Sequence, residues 1–299
     1  VSSDARQVLI TGGRGRLARA LMQAAWPQGW RPVAVGRDEL DVTNVEAVMA
    51  WVEAHRPALI VNAAAFTGVD LAESEGEAAF VVNAAGAGHL AKAASETGAD
   101  LIHVSTDFVF DGRLGRPYVE ADATAPLSLY GASKLEGERR VLDQHPQALV
   151  LRTAWLLGGQ GGSFIDAMLK RAATGQDLRV VADQTGSPTD VHDLARAIVV
   201  ATERLAQGAT PQQVYHVAGS EAATWHEIAE AAVEAWARVS GQTSPHVAAI
   251  ATSEWPCAAR RPQDSRLDSS AFARDFGMVL PGWRERIADW AAQSAGANK

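Results

Sequence analysis

The stretch "VLITGGRGRLARAL", residues 8–21, decides the fold. A short β-branched run leads into Gly12, Gly13 and Gly15, and an amphipathic helical pattern follows directly. In a strand–turn–helix of this kind the glycines let the backbone turn tightly. They also let it approach a pyrophosphate, which then sits on the helix N-terminus. A glycine cluster alone is a weak signal; the strand before it and the helix after it give it meaning. From Gly12 the spacing is G-x-x-G-x-x-A, ending at Ala18, and alanine still permits close helix-to-strand packing.

Outward from this stretch, short apolar runs alternate with longer helical patterns. Strands are predicted at 8–11, 32–36, 58–63, 101–105 and 148–153, and helices at 17–25, 45–55, 77–97 and 130–145. Such alternation is the mark of successive βαβ units, so the expected fold class is α/β, a Rossmann-type doubly wound parallel sheet. Thr43 with Glu46, and Thr224 with Glu227, have capping-box spacing. After residue 155 the alternation loosens: "LGGQGGS" (157–163) is glycine-rich, "RVVADQTGSPTDV" (179–191) mixes a strand with a turn, and "SPHVAAIATSEWPCAARRPQDS" (244–265) is a strand followed by a Pro-punctuated loop. Two parts are therefore expected. Residues 1–155 form a dinucleotide-binding part, with later segments around 190–220 returning to it, and 156–299 form a smaller, mainly substrate-binding α+β part.

Composition narrows the partners. The 299 residues are 47% hydrophobic and 21% charged, enough to bury a full core, and the net charge of -8 has no basic block to neutralise a run of phosphates, which argues against nucleic acid. The apolar runs are far shorter than the roughly 20 residues of a membrane span. The polar opening "VSSDARQ" has no apolar segment of signal-peptide form, and the single cysteine, Cys257, has no internal partner. Both features favour a reducing cytoplasm.

The strand ends carry the chemistry. At the end of the second strand stand Gly36 and Arg37 rather than an acidic residue, while Arg14 and Arg16 lie in the glycine loop. Guanidinium groups suit a 2'-phosphate, which points to NADPH, and Asp38 and Glu39 leave NADH open. The third strand ends in Asn62, Ala63, Ala64 and Ala65, small enough for a flat ring or ribose to approach the backbone. The fourth delivers Ser105, Thr106 and Asp107 to the same rim, where hydroxyls can bond a substrate carbonyl or simply make local turns. In "SLYGASKLEGE" (128–138), Tyr130 and Lys134 are four apart and share one helix face. A phenol, with a pKa near ~10, is a reluctant donor at neutral pH, and a nearby ammonium is expected to stabilise its phenolate and lower that value.

Taken in order along the chain, these motifs resemble the extended short-chain dehydrogenase/reductases, and among them the dTDP-4-dehydrorhamnose reductases. The resemblance rests on "TGGRGRLA", "ELDVTN" (39–44), "NAAAFTGVDLAESE" (62–75), "STDFVFDG" (105–112), "PYVEADATAPLSLYGASKLEGE" (117–138), "LRTAW" (151–155), "DQTGSPT" (183–189), "RRPQDSRL" (260–267) and "LPGW" (280–283), and so covers nearly the whole chain. It implies a catalytic triad of Thr106, Tyr130 and Lys134. It implies cofactor contacts from the glycine loop with Leu17, from Asp41 and Val42, and from Ala63, Ala64 and Ala65. It places Thr67, Val69, Asp107, Phe108 and Trp155 in a sugar pocket, and makes Arg260 or Arg261, with Arg261 preferred, the candidate for a nucleotide diphosphate. The implied reaction is NAD(P)H-dependent reduction of a 4-keto dTDP-sugar, by a monomer or homodimer. Phe108 stands where the family usually has tyrosine, which removes one hydroxyl near the substrate, and Ala18 replaces the usual last glycine.

Two other classes share part of this pattern. A nucleotide-sugar epimerase, dehydratase or other ketoreductase would use the same Tyr–Lys pair and differ in the C-terminal part. A non-catalytic NADP-binding regulatory subunit would not need Thr106, Tyr130 and Lys134, all of which are intact. Metal-dependent hydrolysis is disfavoured because the eight histidines include no pair at ligand spacing. A few such reductases use Mg2+, but no carboxylate cluster here marks a site for it.

Overall fold

The computed structural model describes residues 5–159, 162–209 and 211–296. Gln160 and Gly161 of the glycine-rich stretch lie outside the described residues, as do the first four residues of the polar opening. The chain runs β1 (Arg6–Thr11), α1 (Arg16–Gln23), β2 (Trp30–Val35), α2 (Val45–His55) and β3 (Leu59–Asn62), then α3 (Gly76–Phe80), a π-helical turn (Val81–Gly86) and α4 (Ala87–Thr97). Next come β4 (Asp100–Thr106), α5 (Leu129–Gln144) and β5 (Leu149–Thr153). The second half holds β6 (Leu156–Leu157), α6 (Phe164–Ala172), β7 (Leu178–Val181), β8 (Thr185–Gly186), β9 (Thr189–Asp190), α7 (Val191–Ala206) and β10 (Val214–His216). It ends with β11 (Ala223–Thr224), α8 (Trp225–Ser240), β12 (Val247–Ile250), α9 (Ser270–Phe276) and α10 (Ile287–Gly296).

Six strands form one parallel sheet in the order β2-β1-β3-β4-β5-β10. Successive side chains alternate between its faces, so both are apolar. Val8, Ile10, Leu59, Val61, Ile102, Leu149 and Leu151 meet α1, α7 and α9 on one face. Leu9, Ile60, Leu101 and Val150 meet α2, α4 and α5 on the other. Strand order reverses at β1, whose neighbours β2 and β3 lie on opposite sides, and ligands of open α/β sheets bind at such a point. A second core, containing Leu169, Leu178, Ile228, Trp236, Trp283 and Trp290, gathers α6, α8, α10, β7 and β12. Among the described residues no helix is long and apolar enough to cross a membrane.

Two local expectations need correction. Asn44, not Thr43, caps α2: its side chain accepts from the Ala47 N–H at 2.9 Å. The Thr43 hydroxyl is taken by Asp41, to which it donates at 2.7 Å. The helix expected over 77–97 contains the π-helical turn, which carries Asn83 to a point between two elements. Its amide accepts from the Phe66 N–H at 2.8 Å and donates to the Phe66 carbonyl at 3.1 Å and the Ser133 hydroxyl at 2.9 Å. The capping box of Thr224 and Glu227 forms as expected at the start of α8.

The contact that seats α5 is made without a side chain. A Cβ on Gly137 would lie 2.2 Å from the Asn83 carbonyl oxygen, far inside van der Waals contact. Gly137→Ala is therefore expected to cost about 1–3 kcal/mol through overpacking, read as a lower denaturant midpoint at unchanged slope. An unaltered midpoint would show that the backbones are not in contact.

Candidate active site

A cleft of about 820 Å³ opens at the carboxyl ends of the central strands and is lined from both halves of the chain. At one end lies the turn after β1. Gly12 has a φ of 69°, and a Cβ there would stand 2.8 Å from the Ala63 carbonyl oxygen and 2.9 Å from the Ala64 Cα. Only glycine lets this turn close on the end of β3. Asn62 straps the strand ends together: it accepts from the Thr11 hydroxyl at 2.9 Å, and its amide lies 3.0 Å from His103 Nδ1. Helix α1 starts after Gly15 with no side-chain cap and no acidic residue in its first turn. Its first N–H groups and positive dipole end thus remain available beside the cleft, a fit to a pyrophosphate that matches the glycine spacing.

The six cofactor-side residues named around this turn behave differently. Arg14 and Arg37 line the cleft and are largely exposed, Arg14 paired with Asp38 and Arg37 with Asp41. Arg16 also lines it, but its guanidinium donates to the carbonyls of Leu156 at 2.9 Å and Gly158 at 3.2 Å, tying α1 to the segment after β5. Leu17 is buried against the sheet and contributes to the wall. Asp41 and Val42 are not part of the lining: Asp41 is held below the usual carboxylate range by the N–H and hydroxyl of Thr43, and Val42 packs on Gly86.

Deeper in the cleft, β4 and α5 bring Thr106, Tyr130 and Lys134 together. Ser128 caps α5, accepting from the Gly131 N–H at 3.1 Å, so the helix opens with Tyr130 in its first turn. The Tyr130 hydroxyl lies beside Thr106, and its ring meets Phe108 edge-on at 5.6 Å. Lys134 is 3% exposed, and its Nζ donates to the Val104 carbonyl at 2.7 Å. Burial pushes Tyr130 up to about 12 and pulls Lys134 down to about 8. Burial, not the ammonium, therefore dominates the phenol, contrary to the sequence-based expectation: the site holds a firmly protonated tyrosine. Asp107 accepts from the Thr106 hydroxyl at 3.1 Å, and burial raises it to about 6. His103, buried and close to Lys134, is held well below the usual imidazole range and stays neutral. The Ser105 hydroxyl, also at this rim, is committed to Glu138 at 2.5 Å.

The far end is aromatic. Trp155 follows β5 with a φ of 43° and stacks on Trp225 at 3.7 Å and 6°, with Phe164 beyond at 4.7 Å. Thr67, Val69 and the alanines 63–65 line the opposite side. Arg261 lines the cleft while gripping Asp70, Nη2 to Oδ2 at 2.7 Å, whereas Arg260 is exposed and outside the lining. Sequence reasoning does not reach Trp225, Arg19, Leu156 or Gly162, which also line it. For Trp225 a signal exists, a tryptophan directly behind the cap of α8; the others carry none. Among the described residues no cluster of His, Cys, Asp and Glu can hold a metal ion.

Comparison with known proteins identifies the family. Residues 6–295 match the family described as RmlD substrate binding domain. The chain is 42% identical over 281 residues to the dTDP-4-dehydrorhamnose reductase of Salmonella typhimurium, covering 92% of this chain and 94% of that one. It is 39% identical over 288 residues to that of Burkholderia thailandensis, covering 94% and 96%. The crystal structure of dTDP-4-dehydrorhamnose reductase from Bacillus anthracis in complex with NADP superposes with a TM-score of 0.87 at 33% identity, over 97% of this chain and 99% of that chain. UDP-glucose 4-epimerase from Brucella ovis, at 22% identity and a TM-score of 0.81, shares the fold. This chain belongs to the dTDP-4-dehydrorhamnose reductase family.

Proposed function

We propose that the protein reduces the 4-keto group of dTDP-4-dehydro-6-deoxy-L-mannose to give dTDP-L-rhamnose, with NADPH as the preferred reductant. The observation that carries this reading is the meeting of Thr106, Tyr130 and Lys134 in one cleft with the open N-terminus of α1. Residues 1–155, with the segments around 190–220 that return to them, mainly hold the dinucleotide, and 156–299 are mainly substrate-binding, adding Trp225 and Arg261 to the wall. Thr67, Val69, Phe108 and Trp155 line the sugar site, and Arg261, paired with Asp70, exchanges that partner for the diphosphate. The free thiol of Cys257 supports a cytoplasmic setting.

When bound, the dihydronicotinamide supplies the hydride that adds to the sugar C4. The glycine turn and α1 hold the pyrophosphate, and the alanines after β3 leave room for a flat ring. Tyr130 gives its proton to the oxygen that becomes the new hydroxyl. A phenol at about 12 keeps that proton throughout the neutral range and yields it only to a stronger base such as a developing alkoxide. Thr106 donates a hydrogen bond to the same oxygen. At about 8, Lys134 is mostly protonated at neutral pH, so it clamps ribose hydroxyls and stabilises the phenolate as the proton leaves.

Mixing the protein with dTDP-6-deoxy-L-lyxo-4-hexulose, the same keto sugar, and NADPH is expected to bleach the nicotinamide absorbance; no bleaching removes the substrate assignment. Tyr130→Phe is expected to lower kcat by roughly 100- to 10,000-fold with little change in KM, and near-normal turnover would show that another group is the acid. Arg14→Ala combined with Arg37→Ala is expected to raise KM for NADPH by about tenfold and leave KM for NADH within about twofold. Equal effects on both cofactors would place the 2'-phosphate elsewhere.

A further inference from the structure

Helix α5 carries a third polar residue on the face of Tyr130 and Lys134. Glu138, one turn beyond Lys134, is 3% exposed, and its partner Arg152 on β5 is 5% exposed. The guanidinium grips the carboxylate at both ends, Nε to Oε1 at 2.9 Å and Nη2 to Oε2 at 2.7 Å, and the Ser105 hydroxyl donates to Oε1 at 2.5 Å. The Phe110 ring centre lies 5.2 Å from the guanidinium carbon. Neither Glu138 nor Arg152 lines the cleft, so neither touches a ligand there. Stability alone is a weak reason for such a pair, because well-packed apolar residues commonly serve as well.

Its position suggests a different role. Three neighbouring residues of β4 meet the first three turns of α5: the Val104 carbonyl takes Lys134, the Ser105 hydroxyl takes Glu138, and Thr106 lies beside Tyr130. A helix that slipped along β4 would break all three contacts together. Charge adds a second link. The titratable and charged groups around Lys134 are Tyr130 and Glu138 on its own helix, His103 on β4, Asp107 just after β4, and Arg152 on β5, which is engaged by Glu138. His103 is neutral, so Glu138 is the carboxylate that opposes the burial of the ammonium.

We propose that Glu138, held by Arg152 and Ser105, is a positioning residue for the Tyr130–Lys134 pair: it fixes α5 in register on β4 and keeps the Lys134 ammonium charged. The catalytic part of this rests on the reductase reading above, so its primary test does not use turnover. The chain has four lysines, and isotope-labelled lysine resolves the titration of Lys134 by NMR. Removing a nearby negative charge disfavours the charged ammonium, so Glu138→Gln is expected to move the Lys134 midpoint down by about one pH unit. The alkaline limb of kcat should move down with it, while KM for the keto sugar changes little. If Glu138→Gln does not fold, Glu138→Leu with Arg152→Met removes both charges without stranding one, and a smaller shift in the same direction is expected. An unchanged Lys134 titration in either folded variant overturns the proposal. A wild-type protein inactive on the keto sugar would instead overturn the reductase reading, leaving the titration to decide the role of Glu138.

Discussion

Backbone laid directly on backbone is the constraint from which the rest of this structure follows. At Gly12 the turn after β1 rests on the end of β3, and at Gly137 the helix α5 rests on the π-helical turn, each closer than any Cβ permits. These contacts fix how near the helices stand to the sheet. They therefore also fix which side chains of α5 reach its strand ends. The buried polar groups depend on that placement: Asn83 spans Phe66 and Ser133, Asn62 joins Thr11 to His103, and Lys134 meets the Val104 carbonyl. Each would be an unsatisfied buried polar group if the helices stood farther off.

Burial acts in one direction on the groups around Tyr130. Burial raises Tyr130 and Asp107 and lowers Lys134 and His103, in every case towards the neutral form. A pocket that taxes charge in this way favours a chemistry in which a proton moves between groups over one in which a permanent ion is held. The arginines at the rim, Arg14 and Arg37, lie in solvent, where a phosphate can reach them.

Much of this was legible in the sequence because it is local. Helix α2 has the bounds its periodicity predicts, and the ordered strand ends suffice to bring Thr106, Tyr130 and Lys134 to one cleft. Most of what escaped depends on partners distant in the chain, and one miss on a competing neighbour. Arg16 reads as a phosphate ligand until the carbonyls of Leu156 and Gly158 take its guanidinium. Thr43 reads as a cap until Asp41 captures its hydroxyl. A π-helical turn leaves no trace in apolar spacing, and the stack of Trp225 on Trp155 joins residues seventy positions apart. The response of Tyr130 to burial was likewise out of reach, because depth beneath a surface is a tertiary property.

The return of the chain to its sheet bears on how the molecule is made. Strand β10 pairs with β5, and Tyr215 on it packs against Phe272 and Phe276 of α9 and donates to Asp275 at 2.7 Å. On the ribosome, β5 emerges well before β10, so its outer edge presents unpaired amides and carbonyls until that strand follows. Contacts this remote in sequence close slowly. The six-stranded sheet is thus not complete in the first part of the chain alone: its last strand and the helix that covers it are synthesised after β6 to α7 have been made.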